Sequence, residues 1–188
     1  MILVTVGAQM PFDRLVRAVD SWAGAAGRRD VFAQIGTTTL RPRNVEWTSF
    51  LTPTEFRARV ESASLLVAHA GMGSILTALE LGRPILVMPR RGDLLETRND
   101  HQIATARRFA EQGRVSVAMD EHELVGKLNE MRPLVAGAPI SRFASPALIR
   151  AIRTFIGVAE EAPVPEVVTV PVLARSVAQA EHVLSGKS

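Results

Sequence analysis

Residues 69–102 read HAGMGSILTALELGRPILVMPRRGDLLETRNDHQ, and the order of events in this stretch decides the fold. The apolar run Leu65–Ala68 delivers His69 to its carboxyl end. A turn with two glycines, Gly71 and Gly73, follows, and Ser74 opens an apolar-periodic helix. Gly82 followed by Pro84 ends that helix, and Ile85–Met88 is a second apolar run. Strand, glycine turn, helix and strand in this order predict a βαβ unit with both strands buried. The turn gathers the free N–H groups of a first helical turn, a hydroxyl and the positive helix end at one point, which suits a diphosphate. Glycines let the backbone come close without a Cβ in the way. His69 is placed to donate a hydrogen bond to a phosphate oxygen.

Each piece also has a plainer reading. A histidine at a strand end is most often structural, and Ser74 alone is an ordinary N-cap. Gly71-Met72-Gly73 begins like a dinucleotide fingerprint, but the third glycine position holds Leu76. That mismatch counts against a dinucleotide-dependent oxidoreductase. In combination and in this order, the residues favour a phosphate site.

Outward from this segment, short apolar runs at Ile2–Val6, Val31–Ile35, Val45–Phe50 and Val115–Ala118 are the other strand candidates. Amphipathic stretches lie between them. Thr52-Pro53-Thr54-Glu55 combines a cap, a first-turn proline and a capping-box glutamate. Asp120 with Glu123 repeats that logic, and Ser145-Pro146 opens a later helix. The alternation predicts an α/β fold, a Rossmann-like open parallel sheet with helices on both faces, with ligands at the carboxyl ends of the strands. Residues 1–160 are read as this domain. Residues 161–188 are read as a Pro-rich arm, Ala162–Pro171, and a docking helix, Ala174–Leu184.

Composition narrows the function. The chain has 188 residues, 47% of them apolar, enough for one domain with a sizeable core. Its pI of 10.4 accompanies a net charge of only +3. With no Tyr, no Cys and only Lys127 and Lys187 as lysines, little titrates between His and Arg, so the curve crosses zero late. The pI is therefore no nucleic-acid footprint, and no nucleic-acid partner is expected. Absence of Cys excludes disulfides and thiolate metal sites. The four histidines (His69, His101, His122, His182) are dispersed and no Asp-x-Asp pair occurs, so neither a metal nor another cofactor is expected. No apolar run approaches the roughly 20 residues of a membrane span, and no signal peptide is read at the start. A soluble protein is expected.

The motifs His-Ala-Gly-x-Gly-Ser, Leu-Gly-x-Pro, a proline-ended strand and Asn-Asp-His-Gln resemble the donor-binding domain of glycosyltransferase family 28, in the GT-B superfamily. Val4-Thr5-Val6-Gly7 with Phe12-Asp13 fits the small subunits of two-component bacterial exopolysaccharide glycosyltransferases, similar to the small subunit of the eukaryotic dolichol-linked N-acetylglucosaminyltransferase. The likeness fades after Met131. It implies half of a GT-B fold, a UDP-sugar donor and inverting transfer to a lipid-linked acceptor. It also implies a separate membrane-associated subunit that binds the acceptor and supplies the general base, so no catalytic base is assigned here. The chain would be cytoplasmic and recruited to the inner face of the cell membrane through that partner. A non-catalytic UDP-sugar-binding regulatory or sensor subunit is the alternative.

Residue by residue, the resemblance gives His69, Gly71, Gly73 and Ser74 to the diphosphate and Gly7 to close approach of the first loop. It gives Phe50 and Leu51 to uracil, and Asp100, His101 and Gln102 to the sugar hydroxyls. A cap at Asn99 or Asp100 is the plainer reading of the last group. Where many relatives carry a ribose-gripping glutamate, this chain has Thr77, on the face of Ser74. Glu80 is a possible substitute about 60° round the helix. Arg90, Arg91 and Arg98 near the sugar residues make an acidic sugar attractive.

Overall fold

The computed structural model describes residues 1–130, 136, 139–141 and 143–158. Six strands form one all-parallel sheet: β1 (Ile2–Thr5), β2 (Val31–Gln34), β3 (Glu46–Thr48), β4 (Leu65–His69), β5 (Ile85–Met88) and β6 (Ser116–Val117). Their spatial order is β3-β2-β1-β4-β5-β6. The chain thus builds outward on one side of β1, returns, and builds outward on the other. The reversal opens a crevice at the carboxyl ends of β1 and β4, where open α/β sheets bind ligands.

Helices cover both faces, as the sequence predicts. Strand side chains alternate between them. Val4, Val67, Leu86 and Met88 join one core cluster with Leu15, Val16, Val19 and Trp22 of α1 (Asp13–Ala25) and Leu124 and Leu128 of α5 (Glu121–Asn129). Leu3, Leu66, Ala68 and Val87 join the other. Its helical members are Val60 of α2 (Pro53–Ser62), Ile75, Ala78 and Leu79 of α3 (Met72–Glu80) and Ala106 of α4 (His101–Glu111). Strands buried on both faces explain why their sequences read as unbroken apolar runs.

The expected strand at residues 45–50 is shorter in the fold. Its ladder with β2 ends at Thr48, and past it the Ser49 carbonyl accepts from the Gly36 N–H of the loop after β2 at 2.9 Å. The Thr52 cap is complete: its hydroxyl accepts from the Glu55 N–H, and the Glu55 carboxylate accepts from the Thr52 N–H at 2.8 Å. Asp120 and Ser145 cap α5 and α6 (Pro146–Phe155) in the same sense.

The chain divides into a compact unit at Met1–Phe143 and a second that begins at Ala144 and contains α6. The boundary expected at residues 160/161, the arm and the C-terminal helix lie outside the described residues.

Thr52→Ala removes the hydroxyl half of the capping box. Unfolding in urea is expected to show a loss of about 1 kcal/mol with an unchanged m-value. An unaltered midpoint would contradict the role given to this cap.

Candidate functional site

His69 leaves β4 at the reversal in strand order and turns its ring into the gap between two glycines. A Cβ on Gly7 would sit 2.6 Å from the ring's Cε1, and one on Gly71 would sit 2.1 Å from Nε2. Gly7 also has a φ of +76°, where a side chain is strained. These two glycines are therefore required by the histidine ring itself. The ring is largely buried, and its Nδ1 has no hydrogen-bond partner. Burial, and then the positive charge of Arg90, push its pKa down to about 4; the Thr5 main chain pulls weakly the other way. His69 is thus a neutral imidazole, enclosed by protein and within reach of the Thr5 main chain.

The helix after it starts earlier than the sequence suggests. Gly71, in extended conformation, is the N-cap, and α3 runs from Met72, so Ser74 is its third residue and not its cap. The reason is local: the Gly71 carbonyl already accepts the first intrahelical bond, from the Ile75 N–H at 3.2 Å. No side chain caps this end. The N–H groups of Met72, Gly73 and Ser74 are those that an α-helix leaves without an internal partner. Gly73 differs from its neighbours, since a Cβ there would meet nothing within 4 Å.

Thr77 faces the same way but its hydroxyl donates to the Gly73 carbonyl at 2.8 Å, one turn back. Glu80 is engaged elsewhere, in an ion pair with Arg57 of α2 at 3.2 Å. It is therefore no free substitute for a ribose-binding glutamate.

Arg90 corrects the reading of the arginines as sugar-facing. It is buried, at 3% exposure, and its guanidinium donates to the main-chain carbonyls of Val6 (2.7 Å), Met10 (2.5 Å), Pro11 (2.7 Å) and Glu96 (3.2 Å). Five rigid donors can serve four carbonyls in this way; an ammonium could not. Arg91 pairs with Asp93 at 2.6 Å, while Arg98 is exposed. Below them Arg14 makes a two-pronged pair with Glu96 (2.7 and 2.8 Å) and reaches Glu121 at 3.0 Å. The guanidinium groups of Arg14 and Arg90 both lie over the ring of buried Phe12, at 5.3 and 5.0 Å. Phe12 therefore serves as a platform for the loop clamp.

The three expected sugar residues diverge. Gln102 is buried and accepts from the Arg90 N–H at 3.2 Å, which links it through Arg90 to the Gly7 loop. Asp100 accepts from the Gly92 N–H at 2.8 Å and lines a cavity of about 360 Å³ with Pro89, Ile103, Arg107 and Met119. His101 is exposed, its Nδ1 against Asn99 Oδ1. Asp100 occupies the N-cap position of α4 without making a side-chain cap bond.

At the other edge, Phe50 is half exposed and Leu51 half buried, just past β3. They connect to the histidine turn through a residue missed in the sequence, Gln34. Its amide donates to the Gly7 carbonyl (3.1 Å) and the Ser49 carbonyl (3.0 Å), and its oxygen accepts from Thr5 Oγ1 at 2.6 Å. One buried side chain thus ties the first loop to the edge that carries Phe50. A glutamine closing the apolar run Val31–Ile35 was the available signal.

A doubly wound parallel sheet with a histidine–glycine turn at its switch point defines a Rossmann-like α/β domain, a fold shared with a solved glycosyltransferase structure, that of kitacinnamycin, at a TM-score of 0.52 and 23% identity over 69% of this chain and 34% of that one. The chain belongs to glycosyltransferase family 28: the model of the family's C-terminal domain matches residues 1–132. It is 28% identical over 122 residues to the UDP-N-acetylglucosamine transferase subunit ALG13 of Homo sapiens, covering 60% of this chain and 10% of that protein. With the subunit of the same name from Eremothecium gossypii it shares 39% identity over 79 residues, 39% of this chain and 37% of that protein. The chain therefore spans well under two thirds of these relatives. An NMR solution structure of ALG13 superposes with a TM-score of 0.53 at 22% identity, over 80% of this chain and 93% of that one, which shows a shared fold.

The buried histidine sets a pH dependence. An unfolded chain takes up a proton on His69 as pH falls through about 6.5, whereas the folded chain resists until about 4. The stabilising difference is therefore whole above pH 6.5 and is lost as pH falls between these values, by roughly 3 kcal/mol in all. Denaturant titrations of wild type and His69→Asn across pH 4–7 are expected to differ in slope, with the variant flatter in this window. Parallel slopes would contradict a neutral, buried His69.

Proposed function

We propose that this chain is the donor-binding subunit of an inverting, UDP-sugar-dependent glycosyltransferase that acts on a lipid-linked acceptor in exopolysaccharide synthesis, together with a separate membrane-associated subunit. One observation carries the reading: at the switch point of a family 28 domain, a buried neutral histidine and an uncapped helix N-terminus converge beside the Gly7 loop. The free N–H groups at that helix start are stabilised by an anion with acceptor oxygens. The names of the relatives support a UDP-linked donor, with N-acetylglucosamine as the sugar they favour. An acidic sugar loses support, because Arg90 and Arg91 are engaged within the protein.

In this account the N–H groups of Met72, Gly73 and Ser74 bind the diphosphate, and the positive end of α3 balances its charge without a metal ion. His69 donates from Nε2, the ring nitrogen beside Gly71. The acceptor hydroxyl attacks the anomeric carbon from the face opposite the diphosphate. As that carbon–oxygen bond forms, the bond to the diphosphate breaks, the configuration inverts, and the hydroxyl proton passes to a base on the partner. UDP departs with its growing negative charge held at the α3 N-terminus. The partner also places the reaction at the inner face of the cell membrane.

Calorimetric titration with UDP tests this directly. Gly73→Ala meets no steric obstacle in the protein, so it is expected to keep the wild-type melting temperature yet bind UDP about tenfold more weakly, because the new methyl stands in the anion's path. Ser74→Ala and His69→Ala are expected to weaken binding too, and EDTA to leave it unchanged. Wild-type affinity in all three variants would overturn the site, and loss with EDTA reversed by magnesium would overturn the metal-free binding.

A further inference from the structure

We propose that α6 is an interfacial helix that lays the chain directly on an anionic membrane surface, apart from any contact a partner makes. The helix lies beyond residues 1–132 that match the family, and none of its residues is buried. At 100° per residue, Leu148, Ile149, Ile152, Phe155 and Ile156 fall in one arc of about 120°. All five are exposed, Phe155 at 90%. Arg153 borders this arc beside Ile149, and Arg150 lies further round the polar side.

Charge selects the occupant. Residues 141–158 contain Arg142, Arg150 and Arg153 and no acidic side chain. The next acidic side chains along the sequence, Glu160 and Glu161, come after the helix has ended. A protein interface takes mixed polar groups around its apolar centre, whereas an apolar arc flanked by charge of one sign fits the boundary between acyl chains and anionic headgroups. Among the described residues no helix is long and apolar enough to cross a bilayer, so the helix lies in the surface.

Flotation of the full chain with vesicles tests the proposal. Phosphatidylglycerol-containing phosphatidylcholine vesicles are expected to bind it about thirtyfold better than phosphatidylcholine alone, since each of two helix arginines near an anionic surface is worth about fivefold. Ile152→Asp with Phe155→Asp should abolish flotation. Arg150→Gln with Arg153→Gln, which keeps the helix and its apolar arc, should remove the preference for anionic lipid. UDP titration on the same preparations reads the nucleotide site separately. No flotation, flotation indifferent to lipid charge, or flotation unaltered by either double variant would overturn the proposal. A wild-type dimer that the Ile152→Asp/Phe155→Asp pair dissociates, without flotation, would assign the arc to a second copy.

Discussion

The imidazole of His69 wedged between Gly7 and Gly71 is the contact on which the rest of the site depends. It joins the ends of β1 and β4, the two strands between which the strand order reverses. Any side chain at either glycine would force the ring out, and with it the turn that aims the first N–H groups of α3. Burial keeps the ring neutral.

Around this contact the protein builds a frame from polar side chains that point inward. Arg90 gathers four carbonyls from the Gly7 loop and the segment after β5, and Gln34 draws the Gly7 and Ser49 carbonyls together. Phe12, under two guanidinium groups, and the Arg14–Glu96 pair hold the clamp from below. Loops at the carboxyl edge of a sheet have few main-chain partners of their own. Here buried side chains supply those partners, so the loops can present main-chain groups to a ligand in fixed positions.

The sheet was legible because strands buried on both faces leave unbroken apolar runs, and caps such as Thr52-Pro53-Thr54-Glu55 mark helix starts independently of tertiary context. The histidine–glycine turn was legible for the same reason: its residues are adjacent. What sequence reasoning misplaced depends on long-range geometry. Ser74 reads as a cap by residue type, yet Gly71 holds that position because its extended backbone accepts the first helical bond. Arg90 reads as a substrate-facing cation because three of its four carbonyl partners lie some eighty residues away in sequence. Asp100, His101 and Gln102 read as one group but turn to three different neighbours, since successive helical residues face different directions.

The central claim is that a nucleotide diphosphate sits on the His69–Ser74 turn. Amide and imidazole NMR signals followed during titration of the chain with UDP test it most directly. The expected result is that the amides of Gly7, Met72, Gly73 and Ser74 and the ring of His69 move together with one binding constant, while those about Ile103, Arg107 and Met119 stay in place. Shifts confined to the cavity lined by those last three residues, with the His69–Ser74 turn silent, would contradict the account.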